Sequence, residues 1–259
     1  MKLRVLGSGT SSGVPRIGGA DGAGDWGDCD PTEPRNRRTR ASVLVETAST
    51  RLLVDTSPDL REQLLAAGVK DIDAVIWTHD HADHCHGMDD LRRLYRTRGR
   101  PVRGFARAET MASLTSRFSY VFNSHAGYPA IATIELLPDR LAIGDVVVEV
   151  VDQPHGEITT AGLRFTNMDK KIGYSTDFHT LTPAMAALYW GMDLWVVDAL
   201  RRQPHPSHPT LSQTLDWASQ LAVKQAVLIH MDQTMDYATL VRELPPGVQP
   251  GYDGMELVL

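Results

Sequence analysis

Six consecutive residues constrain this chain more than any other feature of its sequence. The segment His-Asp-His-Ala-Asp-His spans residues 79–84 and directly follows an apolar run, residues 74–78, that is typical of a short buried strand. Four of its side chains are of types that bind transition metals: His79, His81, Asp83 and His84. Neutral imidazoles and carboxylates suit zinc, manganese or iron. A polar turn that gathers histidines by chance explains this pattern poorly, so we expect the loop to begin two adjacent metal sites.

The composition is that of an ordinary globular protein. The chain has 259 residues, of which 42% are hydrophobic and 22% charged, and we predict a single domain over residues 1–259. The formal net charge of -6 argues against a bulk electrostatic grip on nucleic acid, so long nucleic acid is not an expected partner. A small anionic substrate is compatible with this charge, because local fields in a cleft can oppose the global sign.

The sequence lacks the marks of a membrane or secreted protein. No apolar stretch approaches the ~20 residues that span a bilayer, and the first residues show no signal-peptide pattern. Only Cys29 and Cys85 occur, so no disulfide framework is expected. These features predict a cytoplasmic protein with no membrane partner and leave open whether it forms a homodimer.

Hydrophobic periodicity and turn residues predict strands early in the chain and alternating strands and helices later. Early strands are predicted over residues 2–6, 42–46, 51–55 and 74–78, with helices over 58–67 and 89–96. Residues 16–40 are predicted to form a long loop. Later strands are predicted over 133–137, 146–151, 163–167, 172–176, 194–198 and 226–230, with helices over 183–189, 211–221 and 237–244. This order indicates an α/β fold in which two sheets pack together with helices outside.

The spacing within residues 79–84 matches the HxHxDH signature, and through it the chain resembles the metallo-β-lactamase superfamily. The resemblance implies a four-layer αββα sandwich with a two-metal site along one edge of the sheets. It also implies three later ligands, each just past a predicted strand: His155, Asp177 and His230. The first metal ion would then be held by His79, His81 and His155. The second would be held by Asp83, His84 and His230, and Asp177 would bridge both ions.

Each later ligand, taken singly, has a plainer explanation. A lone His at a strand end is more often a hydrogen-bonded structural residue, and a lone Asp there is often a helix cap. Their order and placement favour the ligand role. Asp55 resembles the buried acid that braces the HxHxDH loop in this family, with a turn-capping Asp as the alternative. His86 and His179 are close in sequence to ligands and are predicted to support them or to line the pocket.

Two further segments favour the phosphodiesterase branch of the superfamily, which includes transfer-RNA 3′-processing nucleases and the cyclic-phosphate phosphodiesterase of bacterial phosphonate breakdown. The glycine-rich opening GSGTSSGVP, residues 7–15, resembles that branch, and its Ser11 and Ser12 are predicted to bind the substrate. The segment HPSHPTL spans residues 205–211 and has a histidine just before a predicted helix. This histidine resembles a residue of the phosphonate-pathway enzyme that protonates the leaving group or holds the phosphate in place. We assign that role to His208, with His205 as the competing choice and a further substrate contact.

The chain departs from the phosphonate-pathway enzyme at a structural zinc site. That enzyme holds the zinc with a Cys-rich loop and a late His, whereas here the loop retains only Cys29, and Gln233 stands where the His is expected. We therefore expect no third metal. The same region carries an arginine cluster, which more often marks a solvated basic loop than a phosphate site. Its members are Arg35, Arg37, Arg38 and Arg40.

Together these features predict a dinuclear hydrolase that holds two divalent metal ions, zinc or manganese, and cleaves a small cyclic or nucleotide-like phosphodiester. Asp83, as a metal ligand, and His208, as proton donor, are the predicted catalytic residues. Two enzyme alternatives remain open: a transfer-RNA 3′-processing ribonuclease, and a hydrolase of esters, thioesters or lactams. A non-hydrolytic redox module on the same fold is disfavoured, because flavin-linked di-iron relatives typically replace one HxHxDH ligand with Glu.

Overall fold

Two seven-stranded β-sheets form the centre of the computed structural model, which describes residues 1–124 and 127–259. The strand order in the first sheet is β14 (Glu256–Val258), β1 (Lys2–Gly7), β2 (Ser42–Glu46), β3 (Arg51–Val54), β4 (Ala74–Trp77), β5 (Val102–Ala106) and β6 (Ala132–Leu136). The order in the second is β13 (Val248–Pro250), β12 (Ala226–Ile229), β11 (Leu194–Asp198), β10 (Lys170–Ser175), β9 (Ile158–Asn167), β8 (Val146–His155) and β7 (Arg140–Ile143). Strands β3 to β6 run parallel, as do β10 to β13, and the other neighbours pair antiparallel.

Helices cover the outer faces of both sheets. Those in the first half are α1 (Leu60–Ala66), α2 (Ala82–Cys85), α3 (Leu91–Arg98), α4 (Ala108–Arg117) and α5 (Ser119–Phe122). Those in the second half are α6 (Pro183–Tyr189), α7 (Leu211–Gln220) and α8 (Tyr237–Glu243). Short 3-10 turns occur at Pro34–Asn36 and Met88–Asp90. Within the described residues, no helix has both the length and the apolar character needed to cross a membrane.

Apolar side chains fill three layers, which explains why most strands are buried on both faces. Alternation along β2 directs Val43 and Val45 between the sheets and Leu44 towards the helices of the first sheet. In the second sheet, Val196 packs between the sheets while Trp195 lies under the helices. The predicted four-layer αββα sandwich is therefore confirmed.

Some predicted boundaries are wrong, and the clearest case is β8. The pattern places this strand at residues 146–151 with His155 beyond it, but the strand continues to His155 because β8 and β9 form a long hairpin that pairs His155 with Ile158. The strand predicted over 226–230 ends at Ile229, and the helix predicted over 58–67 begins at Leu60. His155 is consequently closer to its strand end than predicted, whereas Asp177 and His230 are each one residue farther from theirs.

The sequence pattern predicts no element between residues 97 and 132, yet the structure has β5, α4 and α5 there. Strand β5 is short and carries Gly104 at its centre, which weakens any strand signal. A Cβ at Gly104 would lie 2.3 Å from a ring carbon of Trp77, so packing against the neighbouring strand requires the glycine. Tertiary packing therefore explains why a weak strand former occupies this position.

A buried carboxylate, Asp253, holds the glycine-rich loop after β1 in place. Its Oδ1 accepts hydrogen bonds from the backbone N–H and the hydroxyl of Ser8, at 2.9 and 2.8 Å. Its Oδ2 accepts from the backbone N–H and the hydroxyl of Thr39, at 2.7 and 2.6 Å. The carboxylate thus joins the loop that follows β1 to the segment that enters β2.

Replacing Asp253 by Ala is expected to lower the free energy of unfolding by about 2–4 kcal/mol, because donors of the buried Ser8 and the half-buried Thr39 lose their acceptor. Urea unfolding measures this, with metal removed by chelation from every sample. Asp169→Ala is the control, since that side chain is 81% exposed, and its effect should stay within about 0.5 kcal/mol. Equal stability of the two variants would contradict the prediction.

Candidate metal centre

The segment HDHADH forms a turn that leads from β4 into the four-residue helix α2. His79 follows β4 by two residues and is fully buried. Asp83 and His84 lie in the first turn of α2, and both are buried as well. His81 directly precedes the helix and is exposed. One short turn therefore presents four ligand-type side chains at the edge of the first sheet.

Strand ends of the second sheet supply the remaining predicted ligands. His155 is the last residue of β8, Asp177 lies two residues beyond β10, and His230 directly follows β12. All three side chains are buried. The two sheets therefore bring together residues that lie far apart in the sequence.

The ligand-type atoms form three overlapping groups, and within each group they all lie within 4.8 Å of one another. The first group consists of His79, His81, His155 and Asp177. The second consists of Asp83, His84 and His230, and the third of Asp177, His208 and His230. The first two groups contain all seven residues that were predicted to hold two ions.

The carboxylate of Asp177 lies between the first two groups. Its Oδ1 is 3.9 Å from Nε2 of His79 and 3.6 Å from Nε2 of His155. Its Oδ2 is 3.2 Å from Nε2 of His84 and 3.6 Å from Nε2 of His230. Burial alone would raise the pKa of Asp177, but the charges of His230 and His84 outweigh it and hold the pKa well below its ordinary value. An ionised carboxylate thus turns one oxygen to each group.

Three residues at strand ends adopt left-handed backbone conformations. The φ angles are 63° at Asp55, 53° at Asp177 and 58° at His230. Few non-glycine residues adopt this region, although Asp and His do so more readily than most. Such strain persists only where the surrounding structure compensates for it, and it is concentrated at functional sites. The backbone at these positions therefore supports a functional interpretation of the side chains.

Hydrogen bonds at Nδ1 fix the orientation of the imidazoles. The carboxylate of Asp55 accepts from the N–H and hydroxyl of Thr78, at 2.7 and 2.8 Å, and lies 2.7 Å from Nδ1 of His84. Because the Thr78 hydroxyl hydrogen points to Asp55, its oxygen can accept from Nδ1 of His79, 3.0 Å away. Nδ1 of His155 likewise donates to a backbone carbonyl, that of Ser207, at 2.9 Å. Each ring is left with its Nε2 free to act as a ligand.

The buried Nε2 atoms test whether a metal suits this cluster. Among the described residues, Nε2 of His79, His84 and His230 are buried and have no hydrogen-bond partner. An unpaired buried polar atom is costly unless something binds it. Imidazole nitrogens and carboxylate oxygens are the donors that divalent transition metals take in proteins. The residues therefore fit divalent metal ions.

Burial is the main influence on the pKa of two imidazoles of the first group, those of His79 and His155. It lowers the pKa of His79 well below its ordinary value, and it also lowers the pKa of His155. The carboxylate of Asp177 opposes this effect at both rings without reversing it. These imidazoles are consequently neutral at pH 7, which is the form that binds metals.

The imidazoles of the second group behave in the opposite way. Burial disfavours their charged forms, but Asp83 and Asp177 outweigh it and raise the pKa of His84 well above its ordinary value. Burial is likewise outweighed at His230, where Asp177 and Asp198 raise the pKa to about 9. In the absence of metal, the imidazoles of His84 and His230 are therefore protonated on both nitrogens, and hence cationic, at pH 7.

His208 lies beside the cluster and is paired with an acid that the sequence analysis did not identify. Its Nδ1 is 2.8 Å from Oδ2 of the buried Asp198, and its Nε2 is 3.8 Å from Oδ1 of Asp177. Its ring stacks on that of His230, with centroids 4.8 Å apart. Asp198 is the last residue of β11. An acid at the end of a predicted strand is the feature by which Asp55 was identified, and the same feature could have identified Asp198.

Of the other histidines predicted at the site, His205 lies nearest to the cluster. It is half-buried, its ring centroid is 5.0 Å from that of His208, and its Nδ1 is 3.3 Å from the N–H of Ser207. His179 is half-buried, and its backbone N–H donates to the carbonyl of Pro154, next to His155.

His86 is predicted to support a metal ligand or to line the pocket, and among the described residues its side chain forms no hydrogen bond to a proposed ligand. His86 is exposed, and its Nε2 lies 2.9 Å from the guanidinium of Arg117 rather than near a ligand. It follows the last residue of α2, and its ring packs edge-on against Phe118. Its position is therefore at the junction between α2 and α4.

The arginines of the long loop have different environments, so their interpretation as a solvated cluster is wrong for Arg38. Its buried guanidinium donates to the carbonyls of Met235 and Asp232, at 2.6 and 3.2 Å. It also lies 3.8 Å from the sulfur of Cys29. The thiol at which a third metal site was considered thus already faces a cation.

Comparison with known proteins agrees with this geometry. A model of the β-lactamase superfamily domain matches residues 50–231. The crystal structure of a new diphosphatase from the PhnP family is 35% identical in sequence and superposes with a TM-score of 0.89. That match covers 99% of this chain and 96% of the diphosphatase chain.

Curated relatives match over smaller shares of their own length. An octanoyltransferase from Porphyromonas gingivalis is 35% identical over 268 residues, which cover 100% of this chain and 52% of that protein. A ribonuclease Z from Methanopyrus kandleri is 29% identical over 135 residues, which cover 48% of this chain and 43% of that protein. The chain thus spans about half the length of the curated relatives it matches. The domain match and the near-complete match to the diphosphatase show that this chain belongs to the metallo-β-lactamase superfamily of hydrolases, within the PhnP family.

Proposed function

We propose that this enzyme is a dinuclear metal-dependent phosphodiesterase that cleaves a small cyclic or nucleotide-like phosphodiester. The observation that carries the proposal is the carboxylate of Asp177, whose two oxygens face separate sets of imidazoles. The 35% identity to a diphosphatase favours chemistry at phosphorus over hydrolysis of esters, thioesters or lactams.

The proposed ligands divide between two ions, zinc or manganese. His79, His81 and His155 would hold one ion. Asp83, His84 and His230 would hold the other, and Asp177 would be shared. When bound, two such ions activate water as a nucleophile and neutralise charge on the phosphate oxygens.

The residues around the ions would orient the reactants and move protons. Asp83 lies at the wall of an open cleft, where its carboxylate would hold the second ion and accept a hydrogen bond from the attacking water. His208 donates its Nδ1 hydrogen to Asp198, and a second proton, taken up on Nε2 before the reaction, would pass to the leaving-group oxygen as the P–O bond breaks. Asp198 stabilises the protonated ring by a charge-assisted hydrogen bond. His205, whose ring neighbours that of His208, is proposed as a further substrate contact.

A ribonuclease is the second candidate, because about half of the chain resembles ribonuclease Z of Methanopyrus kandleri. Both candidates use the same chemistry and differ in the size of the substrate. The net charge of -6 disfavours long RNA, since nucleic-acid affinity depends on cationic contacts to phosphates. The octanoyltransferase adds no candidate, because only 52% of that protein takes part in the match.

The first prediction concerns metal content. Purified protein should hold close to two transition-metal ions per chain, and Asp177→Ala should lower this number and reduce turnover by at least about a hundredfold, because both ions lose a shared ligand. Elemental analysis after reconstitution measures the content, with Asp169→Ala as the control. Active wild-type protein that holds only one ion would rule out the dinuclear proposal.

A second prediction separates the two ions by pH. Metal binding to His84 and His230 must displace protons at any pH below about 9, the metal-free pKa of His230, whereas His79 and His155 are already neutral. Affinity at the second site should fall about tenfold per pH unit for each displaced proton. At a buffered free-zinc concentration that just fills both sites at pH 8, dialysis to pH 6 should therefore leave about one ion per chain.

The matched control for this experiment is His230→Asn, which lacks a ligand of the pH-sensitive site. It should hold about one ion at both pH values, because only the site of the neutral imidazoles remains. If the wild-type protein loses both ions in parallel, the assignment of protons to the second group is wrong.

The third prediction isolates the proton donor. His208→Ala should keep its metal ions and lose about 10²–10⁴-fold in kcat on alkyl phosphodiesters, but much less on bis(p-nitrophenyl) phosphate, whose leaving group needs no proton. Asp198→Asn should show the same dependence more weakly. An equal loss on both substrates would assign His208 to phosphate positioning, and leaving-group dependence in His205→Ala would move the role to His205.

A further inference from the structure

Besides the cleft that Asp83 shares with the exposed Ser11 and Ser12, the turn of residues 79–84 contacts helix α4. The contact is made by Asp80, which lies between two proposed ligands of the first metal ion. Among the described residues, the carboxylate of Asp80 belongs to none of the three ligand groups. The turn therefore has an attachment outside the metal centre that the proposed catalytic roles do not use.

Two side chains of α4 hold Asp80. The hydroxyl of Ser113 donates to Oδ2 of Asp80. Nη1 of Arg117 donates to the backbone carbonyl of Asp80 and lies 3.2 Å from the same Oδ2. Nη2 of Arg117 donates to Nε2 of His86, 2.9 Å away. A single guanidinium thus joins the start of the turn to the residue that follows α2.

Helix α4 is fixed at its other end to the strand that carries His155. Arg107, which directly precedes α4, donates from Nε to Oδ1 of Asp152 in β8, at 2.8 Å. Its Nη1 donates to the carbonyl of Leu137 at 2.9 Å. Leu114 of α4 is fully buried in the core between the first sheet and its helices. Because β8 ends at His155, α4 connects the two segments that supply the imidazoles of the first group.

His81 depends on such support more than the other two imidazoles of its group. Nδ1 of His79 and Nδ1 of His155 each contact an oxygen that orients the ring. The imidazole of His81 is exposed, and within the described part of the chain no hydrogen bond orients it. The carbonyl of Asp80 belongs to the peptide group that leads into His81. Because this group is planar, the contact of Arg117 with the carbonyl restricts the backbone from which His81 projects.

We propose that Arg117 is a positioning residue, which grips Asp80 and thereby holds His81 in place for the first metal ion. This inference rests on the proposed two-ion centre and concerns the affinity of one of its sites. Removal of a group that orients a metal ligand typically lowers metal affinity about 10- to 100-fold. The second site depends on Arg117 much less, since Asp55 orients its ligand His84.

The sign of the effect separates positioning from electrostatics. A guanidinium close to a metal site repels the metal ion, so the loss of its charge alone would strengthen binding. The loss of a positioning residue weakens binding instead. A weaker first site after removal of Arg117 therefore cannot come from the lost charge.

Zinc titration against a competing chelator tests the inference in a His230→Asn background, which retains every proposed ligand of the first site. There Arg117→Ala should weaken zinc binding about 10- to 100-fold, and Arg117→Lys should be intermediate, because an ammonium group lacks the planar fork. The Arg117 side chain is 38% exposed, so its replacement should leave the core intact. Arg93→Ala removes an exposed arginine of α3 with the same change in charge, and it should leave the affinity within about twofold.

The same titration in a His155→Asn background isolates the second site, which retains Asp83, His84 and His230. There Arg117→Ala should change zinc affinity by less than about threefold, because the orienting contact of that site is elsewhere. Equal weakening of both sites would assign Arg117 a general structural role and overturn the inference. First-site affinity that is unchanged or tighter in Arg117→Ala would also overturn it, with the two-ion centre left standing. Wild-type protein that binds no zinc would overturn both.

Discussion

The candidate metal centre depends on the interaction between one buried carboxylate, that of Asp177, and the imidazoles around it. Asp177 is shielded from water, and an isolated charge in such a place is prohibitively costly. Its compensation comes from His79 and His84, on the turn after β4, and from His155 and His230, at strand ends of the other sheet. The two sheets must therefore meet with these ends in register for the carboxylate to be tolerated.

The chain uses the same arrangement twice to orient imidazoles. Asp55 directly follows β3 and contacts Nδ1 of His84, while Asp198 is the last residue of β11 and contacts Nδ1 of His208. In each case a buried acid at a strand end fixes one ring nitrogen and leaves the other to face the cluster. The proposed ligand and the proposed proton donor thus have the same kind of support.

The sequence by itself determined the fold class and the residues that converge. Four ligand-type residues within positions 79–84, directly after an apolar strand, identify the superfamily because no ordinary turn needs that composition. His155, Asp177 and His230 were predicted through the resemblance to that superfamily, which implies three later ligands, each just past a strand, and folding brings these three residues together. Local pattern was sufficient for residues 79–84, and the resemblance supplied the rest.

Only the tertiary structure decided which groups pair and which protons they hold. Asp198 has an ordinary position in the sequence, and its role follows from the 2.8 Å contact that folding creates with His208. Strand β5 was missed because Gly104 is explained only by the ring of Trp77 across the sheet. Among the loop arginines, burial separates Arg38 from Arg40, although their neighbourhoods in the sequence are alike. Burial and partner distance are set by contacts between distant segments, and periodicity and spacing along the chain carry no record of them.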